Sequence, residues 1–102
     1  MSKNRYAART DENESEIVKD LRKLGYTVIT GVDDIFVSGR GINFWFEIKD
    51  KRTLDKNGKV RESEIKDSQK KIRETWRGQY DIVSSTEQIL SIMKETFKRL
   101  GI

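Results

Sequence analysis

The sequence predicts an α/β domain in which a small mixed sheet is flanked by helices, in the order α-β-β-β-α-β-α. Three observations predict it. Apolar residues recur at helical spacing near both ends of the chain, a central stretch alternates strictly between apolar and polar residues, and glycines separate the segments. At 102 residues the chain is long enough for one modest core and too short for two, so 1–102 is read as a single domain.

The first helix is expected over 11–24, where Ile17, Val18, Leu21 and Leu24 form one stripe, Thr10 or Asp11 is available as N-cap and Gly25 follows the end. Residues 1–10 precede it as a basic arm. Residues 26–30 are β-branched and aromatic and form the first strand, and after Gly31 a second short strand covers 34–38. Gly39, Arg40 and Gly41 make a tight turn. The third strand, 42–49, points Ile42, Phe44, Phe46 and Ile48 to one face and Asn43, Trp45, Glu47 and Lys49 to the other. Residues 50–63 are polar and basic, with a turn at Asn57 and Gly58, and read as a flexible loop or a loose hairpin. From Glu64 a second helix presents Ile65, Ile72 and Trp76, the tryptophan as core, and stops at Gly78. A short strand at 80–83 follows. Ser85 with Gln88 forms a capping-box pattern for a last helix, whose stripe of Ile89, Leu90, Met93, Phe97 and Leu100 is closed by Gly101.

Composition removes several chemistries. There is no cysteine and no histidine, which excludes disulfides, thiolate nucleophiles, imidazole bases and the usual zinc ligands. Catalysis would have to use carboxylates and lysine. No apolar run has the length of a membrane span or of a signal-peptide core, so a cytoplasmic protein with no membrane partner is expected. The net charge of +4 is mild, but residues 49–77 carry eleven basic and six acidic side chains, while 11–20 are mostly acidic. Such polarity suits an acidic centre that collects cations inside a basic surface that collects phosphates. A charged fraction of 37% beside a hydrophobic fraction of 34% also leads us to expect apolar area buried between copies, most simply in a homodimer.

Asp34 opens the second strand and Glu47 lies near the end of the third, so a hairpin turning at 39–41 would bring the two carboxylates together. Lys49, two residues on, shares the face of Glu47. A hard cation such as Mg²⁺ or Mn²⁺ takes carboxylate oxygens, a backbone carbonyl such as that of Ile48, and waters. Such a cation with a nearby ammonium is the equipment of phosphodiester hydrolysis. On spacing alone this pattern equally describes a solvated, charged strand end. Gln69 lies in the apolar stripe of the second helix, where a polar group needs a partner, either a backbone hydrogen bond or a role in the site. Trp45 either stacks on a base, covers the sheet or packs between copies. The basic loop, with Lys51, Arg52, Lys56, Lys59 and Arg61, either contacts phosphates or is simply solvated.

Residues 31–37, G-V-D-D-I-F-V, followed after a glycine turn by F-W-F-E-I-K, resemble the motif of the PD-(D/E)xK nuclease superfamily. The start R-Y-A-A-R-T-D-E-N-E-S-E-I-V and the run S-Q-K-K-I-R-E-T-W-R-G resemble the stand-alone VRR-NUC proteins of phages and bacteria, over roughly Arg5 to Met93. The superfamily's proline is absent: Asp33 stands at its position, and either Asp33 or Asp34 is the metal ligand, with Asp34 preferred. The resemblance implies a restriction-endonuclease-like fold and a Mg²⁺- or Mn²⁺-dependent structure-selective DNA endonuclease. It further implies branched or Holliday-junction DNA as substrate, a homodimer, and a bacterial or phage-infected cell as setting. It implies Asp34, Glu47, Lys49 and Gln69 as catalytic residues, and Glu16, Asp34, Glu47 and the Ile48 carbonyl as metal ligands. Lys3, Arg5, Arg9 and Arg77 join the loop cations as DNA contacts. The rival readings are an inactive DNA-binding module of the same fold and a basic protein-interaction domain.

Overall fold

The structure is a computed structural model that describes residues 2–102, with side chains from residue 13 onward. Its first helix, α1 (Ser2–Lys23), starts earlier than the sequence stripe suggested, so Thr10 and Asp11 lie within it rather than capping it. No glycine or proline interrupts this stretch, and alanine, arginine, lysine and glutamate carry the helical backbone past the apolar positions. At its other end Gly25 adopts φ 96°, and Tyr26 N–H returns to the Leu21 carbonyl at 3.1 Å. This left-handed glycine closes the helix. It also ends the stripe one residue short: Leu24 is exposed, not core.

Four strands follow in the spatial order β1 (Thr27–Thr30), β2 (Asp34–Gly39), β3 (Ile42–Ile48) and β4 (Asp81–Val83). The first three form an antiparallel meander and β4 joins β3 in parallel, so the sheet is mixed as expected. The β2–β3 loop has only two residues, Arg40 and Gly41, with φ 55° and 81°. Positive φ at both positions gives the loop a twist that matches the strands it joins. Arginine is an unusual occupant. It is held by a hydrogen bond from its guanidinium to the Ile102 carbonyl at 3.0 Å and by stacking 4.7 Å from the centre of the Phe97 ring. Gly39 is needed for a different reason, because a Cβ there would meet the Tyr26 ring at 2.7 Å.

One face of the sheet carries the core. Val28, Ile35, Val37, Phe44, Phe46, Ile48 and Val83 meet Ile17, Val18 and Leu21 of α1 and Ile89, Met93 and Phe97 of the last helix, α3 (Thr86–Leu100). Ser85 Oγ accepts Gln88 N–H at 3.2 Å, the first half of the expected capping box. The second half differs. Gln88 Oε1 takes Ser84 N–H at 2.7 Å, one residue before the cap, and its Nε2 reaches the Gly58 carbonyl at 3.0 Å.

That last bond anchors the basic segment, which takes the hairpin form of the two expected. Leu54 bridges Val60, and the Asp55 carboxylate accepts the N–H groups of Asn57 and Lys59 at 2.8 and 3.0 Å. The aspartate organises the turn, with Gly58 supplying the positive φ. The second helix, α2 (Asp67–Thr75), begins later than expected, after a single 3₁₀ turn at Glu62–Glu64, and ends at Trp76. Trp76 is 54% exposed, so the expectation that it belongs to the core is wrong: the helix has stopped before it. Among the described residues no helix is long and apolar enough to cross a membrane.

Candidate functional site

The face of the sheet opposite the main core carries the charged residues, and its centre is an acid pair. Asp34 and Glu47 are direct cross-strand partners in the β2–β3 ladder, as the hairpin reading required. Of the two adjacent aspartates, Asp34 therefore faces Glu47. Asp33 contributes its backbone carbonyl, which accepts Ile48 N–H at 2.8 Å. Ile48 itself is buried in the core.

Each carboxylate is held by an aromatic donor. Trp45 Nε1 donates to Asp34 Oδ2 at 2.9 Å, and Tyr80 Oη lies 3.5 Å from Glu47 Oε1. The two donors touch one another, with ring centres 4.6 Å apart. Trp45 also stacks on Phe36 at 5.5 Å and meets Trp76 edge-on at 5.3 Å, so it covers the sheet as well as holding the acid. Gln79 fixes its backbone. The amide accepts Trp45 N–H at 2.7 Å and donates to Trp45 C=O at 3.0 Å, completing the ladder where β4 has not yet begun.

Glu47 is 6% exposed and its Oε2 is buried with no hydrogen-bond partner. Burial pushes its pKa up from 4.5 to about 7; Lys49 opposes the rise, Asp34 and Asp33 add to it, and Lys66 opposes it more weakly. Burial and the neighbouring Glu47 likewise push the Tyr80 hydroxyl up to about 12, so it stays protonated and donates. A buried carboxylate with an orphaned oxygen beside a second carboxylate, acted on by Lys49 and Lys66 but in no ion pair with either, has charge left to neutralise. A hard divalent cation fits that deficit. Asp34 and Glu47 would hold it, with one oxygen of each already occupied by an aromatic donor.

Other expected site residues are placed differently. Glu16 is exposed on α1, while Glu14 is 8% exposed. At about 100° per residue, two positions along a helix point to nearly opposite sides, so only one of these acids can face the sheet. It is Glu14. The adjacent Asn13 donates to the Lys49 carbonyl at 3.0 Å and the Ser84 carbonyl at 3.3 Å, which docks this turn of α1 on the ends of β3 and β4. Among the described residues no three acidic side chains gather into a metal cluster.

Of the two readings left open for Gln69, the backbone hydrogen bond is present: its Oε1 accepts Lys66 N–H at 3.1 Å at the start of α2. The residue is 6% exposed, and this bond caps the N-terminus of α2. Lys49 follows Glu47 on the same face, its N–H held by the Val83 carbonyl at 2.8 Å. Lys51, Arg52, Lys56, Lys59, Arg61 and Arg77 are all exposed. Two of them do local work, Arg52 against Asp50 at 3.1 Å and Arg61 against Glu64 at 3.5 Å. Lys3, Arg5 and Arg9 lie outside the residues whose side chains are described.

Sequence reasoning missed Tyr80, Gln79 and Glu14. Glu14 had a signal: it lies three, four and seven residues before Ile17, Val18 and Leu21, inside their stripe, and the test applied to Gln69 would have found it. Tyr80 and Gln79 had none. Comparison of the chain with protein-family models, with curated proteins and with solved structures finds no match in any of the three.

Proposed function

We propose that this protein is a divalent-cation-dependent endonuclease that hydrolyses phosphodiester bonds in DNA, with a restriction-endonuclease-like arrangement of its sheet and helices. The observation that carries the reading is the direct pairing of Asp34 with Glu47, whose buried Oε2 has no partner. A structural ion pair would supply a cation from the protein, and a solvated strand end would not bury the carboxylate.

Asp34 and Glu47 would hold Mg²⁺ or Mn²⁺. Two carboxylates suffice for Mg²⁺ when substrate phosphate and water complete the shell. Such an ion, when bound, lowers the pKa of water and neutralises charge on a phosphate. The chain's own groups do the rest. Trp45 and Tyr80 fix the carboxylates, Lys49 brings an ammonium to the face where negative charge develops, and Lys66 adds a second positive charge near Glu47. Branched DNA, cut by a homodimer, is the substrate class we favour. A dimer needs apolar surface, and exposed Ile29, Phe36 and Trp76 supply it.

The test is cleavage of linear duplex, flap and four-way junction DNA with Mg²⁺, with Mn²⁺ and with chelator, beside Asp34→Asn and light scattering. Metal-dependent cleavage lost in the variant supports the reading. DNA binding without metal-dependent cleavage would leave an inactive DNA-binding module, and neither binding nor cleavage would leave a protein-interaction domain.

A further inference from the structure

One edge of the sheet carries a groove of about 840 Å³ that the acid pair does not occupy. Ser15, Lys19, Arg22 and Lys23 of α1 form one wall, and Thr30 and Gly31, where β1 leaves the sheet, form the other. The groove ends at Gly31, which lies against Asp34 so closely that a Cβ on it would overlap Asp34 Oδ1. Glu14 stands at the same end.

Three cations on one wall need an explanation. The ion pairs seen among the described residues are Arg52–Asp50, Arg61–Glu64 and Arg73–Glu62, and none of them involves Lys19, Arg22 or Lys23. Arg22 is fixed in place by a hydrogen bond to the Val28 carbonyl at 3.0 Å. Arg22 and Lys23 lie in the last turn of α1, where basic residues complement the helix dipole, but Lys19 lies a turn earlier and gains nothing from it. From position 15 to position 23 the wall runs about 12 Å at 1.5 Å per residue. Consecutive phosphates of a strand laid along the wall are spaced at roughly twice the 3.4 Å axial rise of a duplex, so the wall matches two or three of them.

We propose that this groove is the binding track for the strand being cut, with its phosphates on Lys19, Arg22 and Lys23 and the next phosphodiester passing Gly31 to reach Asp34 and Glu47. This rests on the nuclease reading and adds Lys19, Arg22 and Lys23 of α1 to the contacts expected from the N-terminal arm, the basic hairpin and Arg77.

The experiment is metal-free binding of labelled duplex DNA between 50 and 200 mM salt by wild type, by Lys19→Ala/Lys23→Ala, and by Lys94→Ala/Lys98→Ala, a charge-matched pair of exposed lysines on α3. Each lost phosphate contact lowers the salt slope by about 0.9, so the affinity ratio of wild type to groove variant should shrink about tenfold across that range. The α3 variant should keep the wild-type slope. All three are exposed-lysine or parent proteins, and circular dichroism checks that each is folded. Equal slopes in the two variants, with wild type binding DNA, would overturn the groove and leave the nuclease reading standing. Wild-type protein that binds no DNA would overturn both.

Discussion

Glu47→Gln separates the charge of the acid pair from its packing. A carboxyl moved from 4.5 to about 7 carries a cost of about 3 kcal/mol once it is ionised in the folded state. Water that reaches the carboxylate relieves part of this desolvation, which leaves about 1–2 kcal/mol. The folded protein holds this proton to higher pH than the unfolded chain does. The contribution of Glu47 to stability is therefore fully present below pH 4.5 and is lost as pH rises toward and through about 7. Thermal unfolding of wild type and variant in chelator, at pH values from 4.5 to 8.5, should give curves that diverge. The variant should gain about 1–2 kcal/mol on wild type across the range, about 5–10 °C in Tm for a domain of this size. Reading the change with pH cancels any fixed difference in how the amide packs. Saturating Mg²⁺ should then stabilise wild type and not the variant, by about 2.7 kcal/mol at a hundred times Kd. Parallel pH curves for the two proteins would refute the argument that burial of Glu47 is uncompensated.

Trp45→Phe and Tyr80→Phe each remove one donor while keeping a ring, and Mn²⁺ affinity measured by calorimetry should fall about 10- to 100-fold, as for other groups that orient metal ligands. Unchanged affinity would make the aromatic pair purely structural. Gly31→Ala places a methyl where Asp34 Oδ1 sits, so metal affinity should fall while the Tm changes little. Lys49→Ala should spare Mn²⁺ binding and lower the single-turnover cleavage rate by about two orders of magnitude, the scale of one lost electrostatic donor; equal rates would remove Lys49 from the reaction.

Local rules determined the elements and half of the site. Strict alternation in β3 put Glu47 and Lys49 on the face opposite Phe44, Phe46 and Ile48, and the Arg40–Gly41 turn set the register that pairs Asp34 with Glu47. Both follow from a period of two and a short loop, which neighbouring residues settle among themselves. What only the tertiary structure decided are the contacts made between elements distant in sequence. Tyr80 reaches Glu47 from 33 residues away and Asn13 reaches Ser84 from 71. No period in the chain encodes such distances. The same is true of the choice between Glu14 and Glu16, which depends on how α1 is rotated against the sheet, and of Trp76, left half exposed because α2 ends before it. Helix rotation and helix length are fixed by packing against the rest of the fold, whereas strand alternation is fixed by the backbone itself.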